Sequence, residues 1–312
     1  MPLTHRRAVA LMVVTTLLWS IAGVVTRHLD AARSFEITFW RSAFTALVPA
    51  VALTAMRGGA LWRDLLRSPW PVWVSGGCWA VMFTAFMLAL TLTSVANVLV
   101  TMAIGPLVTA LFSRVFLGHR LALRTWLAIA AAGAGIAWMF GHGASAAEPG
   151  AVLGTLVALA VPLAAAVNFT VLQHVAQGAR AGQGDDMLPA VLIGAVVSAL
   201  VTVPLALPLQ ASAHDIGLLA LLGVFQLALP CLIVVRLSRV LAAPEIALLQ
   251  LLEVVFGVLW VWRFAGEAPG ATALTGGALV LGALLANELL ALRAPRVAPG
   301  AVPAGPQRTP TR

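Results

Sequence analysis

Apolar runs of about 20 residues recur from one end of the chain to the other, each long enough to cross a hydrocarbon core of about 30 Å. Such a core holds no water to satisfy backbone N–H and C=O groups, so each run must pair its own backbone and form a helix. The alternation over roughly ten residues that marks a transmembrane β-strand is not found. Composition leads to the same place. Of the 312 residues, 61% are hydrophobic and only 10% charged. A soluble domain needs about 25% charged residues to cover its surface.

The runs predict ten spans, at about 8–27, 35–56, 70–90, 95–116, 122–140, 151–173, 187–209, 215–236, 244–264 and 271–292. Pro71, Pro149 and Pro244 fall near span starts, where a missing N–H does little harm. Pro106, Pro162, Pro204 and Pro230 fall inside spans and are expected to kink them or free a carbonyl. Arg6 and Arg7 precede the first run, but that run, from Ala8 to Val25, is long for a signal peptide and reads as an uncleaved first helix. The Pro-, Ala- and Gly-rich stretch 294–312 reads as a disordered cytoplasmic tail.

Charge sets the orientation. All 19 basic residues are arginine, and the net charge is +8. They lie between apolar runs rather than on one polar domain, which excludes a nucleic-acid partner and leaves anionic membrane lipid as their natural contact. With the N-terminus inside, thirteen arginines fall on inner loops and span ends. Four (Arg27, Arg33, Arg41 and Arg263) fall on the outer side, and Arg308 and Arg312 lie in the tail. The excess of positive charge on one side predicts that both termini are cytoplasmic. Abundant Arg and Ala with no Lys point to a GC-rich bacterial gene, and so to the inner membrane.

The chain also reads as duplicated. The stretch from Thr93 to Arg120 returns from Ala242 to Glu267, aligning Gly118 with Gly266, His119 with Glu267, Phe116 with Phe264 and Gly105 with Glu253. A Gly-rich apolar helix follows each copy. Ten spans divide into five and five, and an odd-numbered repeat must insert its second copy upside down. The fold expected is an all-α polytopic membrane protein of ten transmembrane helices in two inverted five-helix repeats. The repeats are 1–142 and 143–293, with the turn-forming linker GHGASAAEPG at their boundary.

The segments LLWSIAGVVTRHL, EITFWRSAFTAL and LTSVANVLVTMAIGPLVTALFSRVFLGHRL resemble the drug/metabolite transporter superfamily, and more closely its EamA-domain transporters. The likeness covers nearly the whole chain. Its most specific parts are Trp19-Ser20, Arg41, Gly105-Pro106 and the Leu-Gly-polar turn. His119 stands where the family usually has an acid, which Glu267 keeps in the second copy. Glu253-Val254 stands where Gly-Pro or Glu-Pro would be typical. The resemblance implies ten helices and transport of small metabolites, often amino acids.

Seven polar or aromatic residues inside spans are candidates for binding substrate: Trp19, Arg41, Asn97, Asn168, Gln226, Gln250 and Glu253. Glu253 lies near the middle of the ninth span. A lone charge there costs roughly 2.5–3.5 kcal/mol on insertion scales, so it must face a cavity or a partner. It could bind a substrate amine or carry a proton; equally, it could hold two helices together. Arg41 could bind a substrate carboxylate or pair with Glu253. The plainer readings are snorkelling to headgroups or a contact with Glu36. Trp19 lies too deep for an interface belt, so it lines the path, faces lipid or packs in the core. The four amides could bond a solute or serve as interhelical glue. Trp79, Phe83 and Phe86 share one face of the third span, a spacing that is more often packing than a substrate platform.

Enzymatic chemistry is not indicated. Cys78 and Cys231 lie inside spans, the six histidines show no metal-ligand spacing, and there is no Walker pattern, so no cofactor is expected. The reading is a secondary transporter, an exporter of small metabolites working by alternating access, with protons as a candidate coupling ion. The alternatives are a facilitator for a sugar-phosphate or nucleotide-linked solute, and a non-transporting membrane assembly subunit. Oligomeric state is not encoded in any pattern found.

Overall fold

The computed structural model of the protein describes residues 3–26, 28–32, 34–93, 95–118, 121–141, 151–180, 186–265 and 270–293. The His119 and Glu267 turn residues, residues 142–150 of the linker, and the tail 294–312 lie outside the described residues, as does the side chain of Asn97.

All regular structure among these residues is helical. In chain order the helices are α1 (His5–Ser20), α2 (Ala22–Thr26), α3 (Ser34–Arg57), α4 (Ala60–Leu66), α5 (Trp70–Leu92), α6 (Val95–Met102), α7 (Gly105–Leu117), α8 (Leu123–Phe140), α9 (Ala151–Arg180), α10 (Leu188–Ala206), α11 (Ala213–Leu221), α12 (Leu229–Leu237), α13 (Ala243–Gln250), α14 (Leu252–Ala265) and α15 (Ala271–Arg293). A π-helical segment, Leu222–Ala228, joins α11 to α12. Seven continuous or nearly continuous rods are long and apolar enough to cross a membrane. Three shorter apolar helices, Gly105–Leu117, Leu123–Met139 and Leu274–Asn287, occupy others of the expected spans.

The bundle buries polar side chains within an apolar core and is also apolar outside. Thr15, Thr16, Ser42, Thr45, Ser75, Asn168 and Ser198 are buried, whereas Val51, Val115, Leu127, Leu200 and Leu285 are exposed. Lipid accepts the outer leucines as readily as a core would, so association rests on close packing and interhelical hydrogen bonds. Trp62, Trp70 and Trp73 are exposed, as anchors in a headgroup belt would be.

Local sequence fixes the helix ends. Pro71 and Pro244 sit in the first turns of α5 and α13. Ser212 accepts from the Asp215 N–H, and Asp215 reaches back to the Ser212 N–H, a capping box that starts α11. Gly118 closes α7 at φ 66°, a left-handed conformation suited to glycine. Of the prolines expected to kink helices, Pro162 and Pro204 lie within α9 and α10, while Pro106 begins α7 after an interruption and Pro230 lies in the first turn of α12 after the π-helical segment. Pro49 is a further proline inside α3.

Small residues set the closest crossings. A Cβ on Gly194 of α10 would lie 2.3 Å from Trp79 Cβ, and one on Gly76 of α5 would lie 2.6 Å from an Ile193 methyl. A Cβ on Gly135 of α8 would lie 2.8 Å from Gly276 O, and one on Gly276 of α15 would lie 2.5 Å from Gly135 O. These backbones meet because nothing larger than hydrogen stands between them. The most extensive pairings are α5 with α9, α3 with α10, α8 with α15, and α5 with α10. Each joins a helix from before the linker to one from after it.

Candidate functional site

Three rods are interrupted within their length. The α1–α2 rod breaks at Ile21, the α6–α7 rod after Met102, and the α13–α14 rod at Leu251. The last two breaks coincide under the sequence alignment, since Met102 aligns with Gln250 and Gly105 with Glu253. Interruption frees backbone groups and creates a helix N-terminus inside the bundle, where a negative group is favoured. Glu253 occupies that position, in the first turn of α14.

Four of the seven candidates gather around this break. Trp19 comes from α1, Arg41 from α3, Gln226 from the π segment and Glu253 from α14. Arg41 is 3% exposed, which rules out snorkelling to headgroups. Its Nη2 donates to Phe83 O at 3.3 Å, while its buried Nε has no partner among the described residues. Glu253 is half-buried, and among the described residues no side chain hydrogen-bonds its carboxylate. Arg41 and Glu253 lie close enough to act on each other electrostatically, and both act on Cys231 of α12. They form no direct ion pair among the described residues. Two opposite charges therefore stand near each other with neither capped by the other.

The walls are held by hydrogen bonds that reach between rods. Gln226 Nε2 donates to Trp19 O at 3.2 Å, and its buried Oε1 has no partner among the described residues. The Trp19 indole interacts with the Cys231 thiol. Trp260 Nε1 donates to Ser20 Oγ at 2.8 Å, tying α14 to α1. Thr45 Oγ1 lies 2.7 Å from Arg41 O and 3.0 Å from Gly223 O, bridging α3 to the π segment. A Cβ on Gly223 would lie 2.5 Å from Phe44 Cβ, so glycine lets the π segment lie against α3 at Arg41. Single π turns recur at functional sites, because the extra residue re-aims the side chains around it.

The remaining candidates stand apart. Asn168 on α9 accepts from Ser75 Oγ of α5 at 2.6 Å, and its Nδ2 is buried without a partner among the described residues. Gln250 is half-buried at the end of α13, one turn before Glu253. Trp79 and Phe83 are buried and pack ring to ring at 5.6 Å.

Other polar contacts carried no signal in the sequence reading. Ser198 Oγ sits 2.9 Å from both Ser42 Oγ and Thr84 Oγ1, linking α10, α3 and α5. Glu36 does not pair with Arg41. Its carboxylate accepts from the N–H groups of Gln210 and Ala211. Asp215 accepts from the N–H groups of Asp30, Ala31, Ala32 and Ser212. Each acid thus binds the loop next to the other's helix. The capping-box spacing of Ser212 and Asp215 was the one available cue. At the opposite end, His5 Nε2 meets Glu245 Oε1 at 2.7 Å and Arg57 pairs with Asp186.

Residues 6–141 match the sequence profile of the EamA-like transporter family. Those residues carry the EamA-like domain. This EamA-domain protein is 25% identical to the pseudopaline exporter CntI of Pseudomonas aeruginosa, in two strains, over 286 residues that make up 90% of this chain and 95% of that one. A solved crystal structure of a protein shares its fold with a TM-score of 0.75 at 23% identity, over 91% of this chain and 98% of the other. This EamA-like protein is therefore a multi-pass membrane protein and a small-molecule transporter rather than an enzyme.

Proposed function

We propose that this transporter exports small polar solutes bearing both a carboxylate and an amine, amino acids or related metabolites, by alternating access. In this reading Arg41 holds the carboxylate and Glu253 the amine. Trp19 packs against the solute, and Gln226 offers its unpartnered oxygen. Asn97, Asn168 and Gln250 line other parts of the path. Glu253 also exchanges a proton in the course of the cycle. What supports this most is the placement of a buried Arg41 and of Glu253, at the start of α14, near one another without a direct ion pair. A solute with complementary ends would complete both. A single deep arginine gives poor support to a sugar-phosphate or nucleotide-linked solute, whose several negative charges would call for more cations. The name of the pseudopaline exporter supports the outward direction.

Two five-helix repeats, 1–142 and 143–293, inserted with opposite senses to give ten crossings, would supply the alternation. Both termini would then face the cytoplasm of a bacterial inner membrane. The test is flux from proteoliposomes under an imposed pH gradient. Glu253→Gln is expected to abolish gradient-driven flux while leaving solute exchange measurable. Full gradient-dependent flux in that variant would remove the coupling role.

A further inference from the structure

A cavity lies away from the charges at mid-depth. It has a volume of about 750 Å3 and sits at the end of the bundle that carries Arg57, Arg67, Arg236 and Arg239. The start of α1, the start of α10 and the end of α12 form its walls. Leu3, Leu11, Leu188 and Ile233 line it, and Leu11 is 38% exposed there. Arg236 and Arg239 stand exposed among these lining residues. Asp186 also borders the cleft, but it is paired with Arg57, so its charge is already engaged.

An aliphatic wall beside two guanidinium groups suits an amphiphile. A free phosphate would bond the arginines and gain nothing from the leucines. A polar solute would lose hydration against the wall. Guanidinium groups match phosphate oxygens with paired N–H donors, and basic pockets between membrane helices are places where anionic headgroups settle. We propose that this cleft binds one anionic glycerophospholipid, its phosphate on Arg236 and Arg239 and one acyl chain along Leu11, Leu188 and Ile233. The site is independent of the transported solute and of transport direction. Its consequence reaches the transport site, because α1 and α12 also carry Trp19 and Cys231, so a bound lipid would restrain their spacing.

The experiment is native mass spectrometry of the purified full chain, offered phosphatidylglycerol or phosphatidylcholine with the same acyl chains. Retention of one phosphatidylglycerol is expected, preferred by about tenfold or more, as two surface arginines contribute. The preference should vanish in the R236Q/R239Q double variant and persist in R236K/R239K. It should also persist in Arg63→Gln, which removes an exposed charge outside the cleft. Leu11→Trp fills the cleft without touching charge and should lower retention; it decides the matter even if the charge variants misfold. Equal retention of both lipids by the unaltered protein would overturn the proposal. So would an equal loss in Arg63→Gln, undiminished binding in Leu11→Trp, or displacement by inorganic phosphate.

Discussion

Glu253 and Arg41 differ in what the surrounding bundle gives each of them. Arg41 has a carbonyl, Phe83 O, and almost no exposed surface. Glu253 has a helix N-terminus and is half-buried. In the proposed site Arg41 holds the solute carboxylate, and truncating one partner of a hydrogen-bonded charge pair costs about 2–5 kcal/mol. Arg41→Gln is therefore expected to lower solute exchange in proteoliposomes by at least about 30-fold, the lower end of that range. Arg41→Lys keeps the charge but loses the planar fork, so it should raise KM about tenfold while changing kcat less. Equal, near-wild-type exchange in both variants would make Arg41 a structural residue. At this scale the sequence marked the residues whose chemistry is foreign to an apolar run. An acid and a guanidinium are each conspicuous there, and the two lie near enough to act on each other. Cys231 carried no such mark, because a thiol packs like any small hydrophobe. Nor did Ser42, Thr84 and Ser198. Hydroxyls in apolar helices commonly bond the carbonyl a turn back, as Thr202 does to Ser198 O at 2.7 Å. Their meeting across three helices depends on packing alone.

Rods and loops were legible to different degrees. The apolar runs give the helices and nearly their limits, because length and hydropathy are local properties. The breaks were half legible. Gly105-Pro106 announces one, but Leu251 gives no warning of the other, and only the alignment of the two copies pairs them. The π segment was not legible, since Gly223 is one glycine among 27 in the chain. Gly76 and Gly77 show the same difficulty at closer range. They are adjacent and chemically identical, yet a Cβ on Gly76 would collide with Ile193 while Gly77 has open space. Gly194→Ala should accordingly lower stability by about 1–3 kcal/mol through overpacking against Trp79. Gly77→Ala should be neutral or slightly stabilising, as a glycine replaced inside a helix. Unfolding of the two variants in detergent, followed by circular dichroism, checks the pair. Loops respond to charge instead. Glu36→Gln weakens its bonds to Gln210 and Ala211, and bonds to a charged acceptor contribute about 1.5–3 kcal/mol. The loss should appear as faster amide exchange at Gln210 and Ala211 than at Ala31, which Asp215 still holds.

For the whole molecule, the repeat boundary and the packing boundary do not coincide. Sequence duplication suggests two units joined by a linker, and a reader would expect a core in each. The large helix pairings run across the linker instead: α3 with α10, α5 with α9 and α10, α7 with α9 and α13, α8 with α15, and α1 with α14. The proposed site follows the same rule, with Trp19 and Arg41 from one side of the linker and Gln226 and Glu253 from the other. Helices in lipid have no hydrophobic drive toward one another and depend on such close contacts. A half expressed alone keeps its spans, because each apolar run satisfies its own backbone, but it loses most partners of α3, α5 and α8. Residues 1–142 alone, and 143–312 alone, are therefore expected to insert yet remain protease-sensitive and inactive. Co-expressed, the two should form a complex that survives gel filtration and restores solute exchange, since the linker carries none of these pairings. A protease-resistant 1–142 fragment on its own would mean that the first repeat holds a core of its own. The crossing contacts at Gly76–Ile193 and Gly135–Gly276 would then be secondary to it.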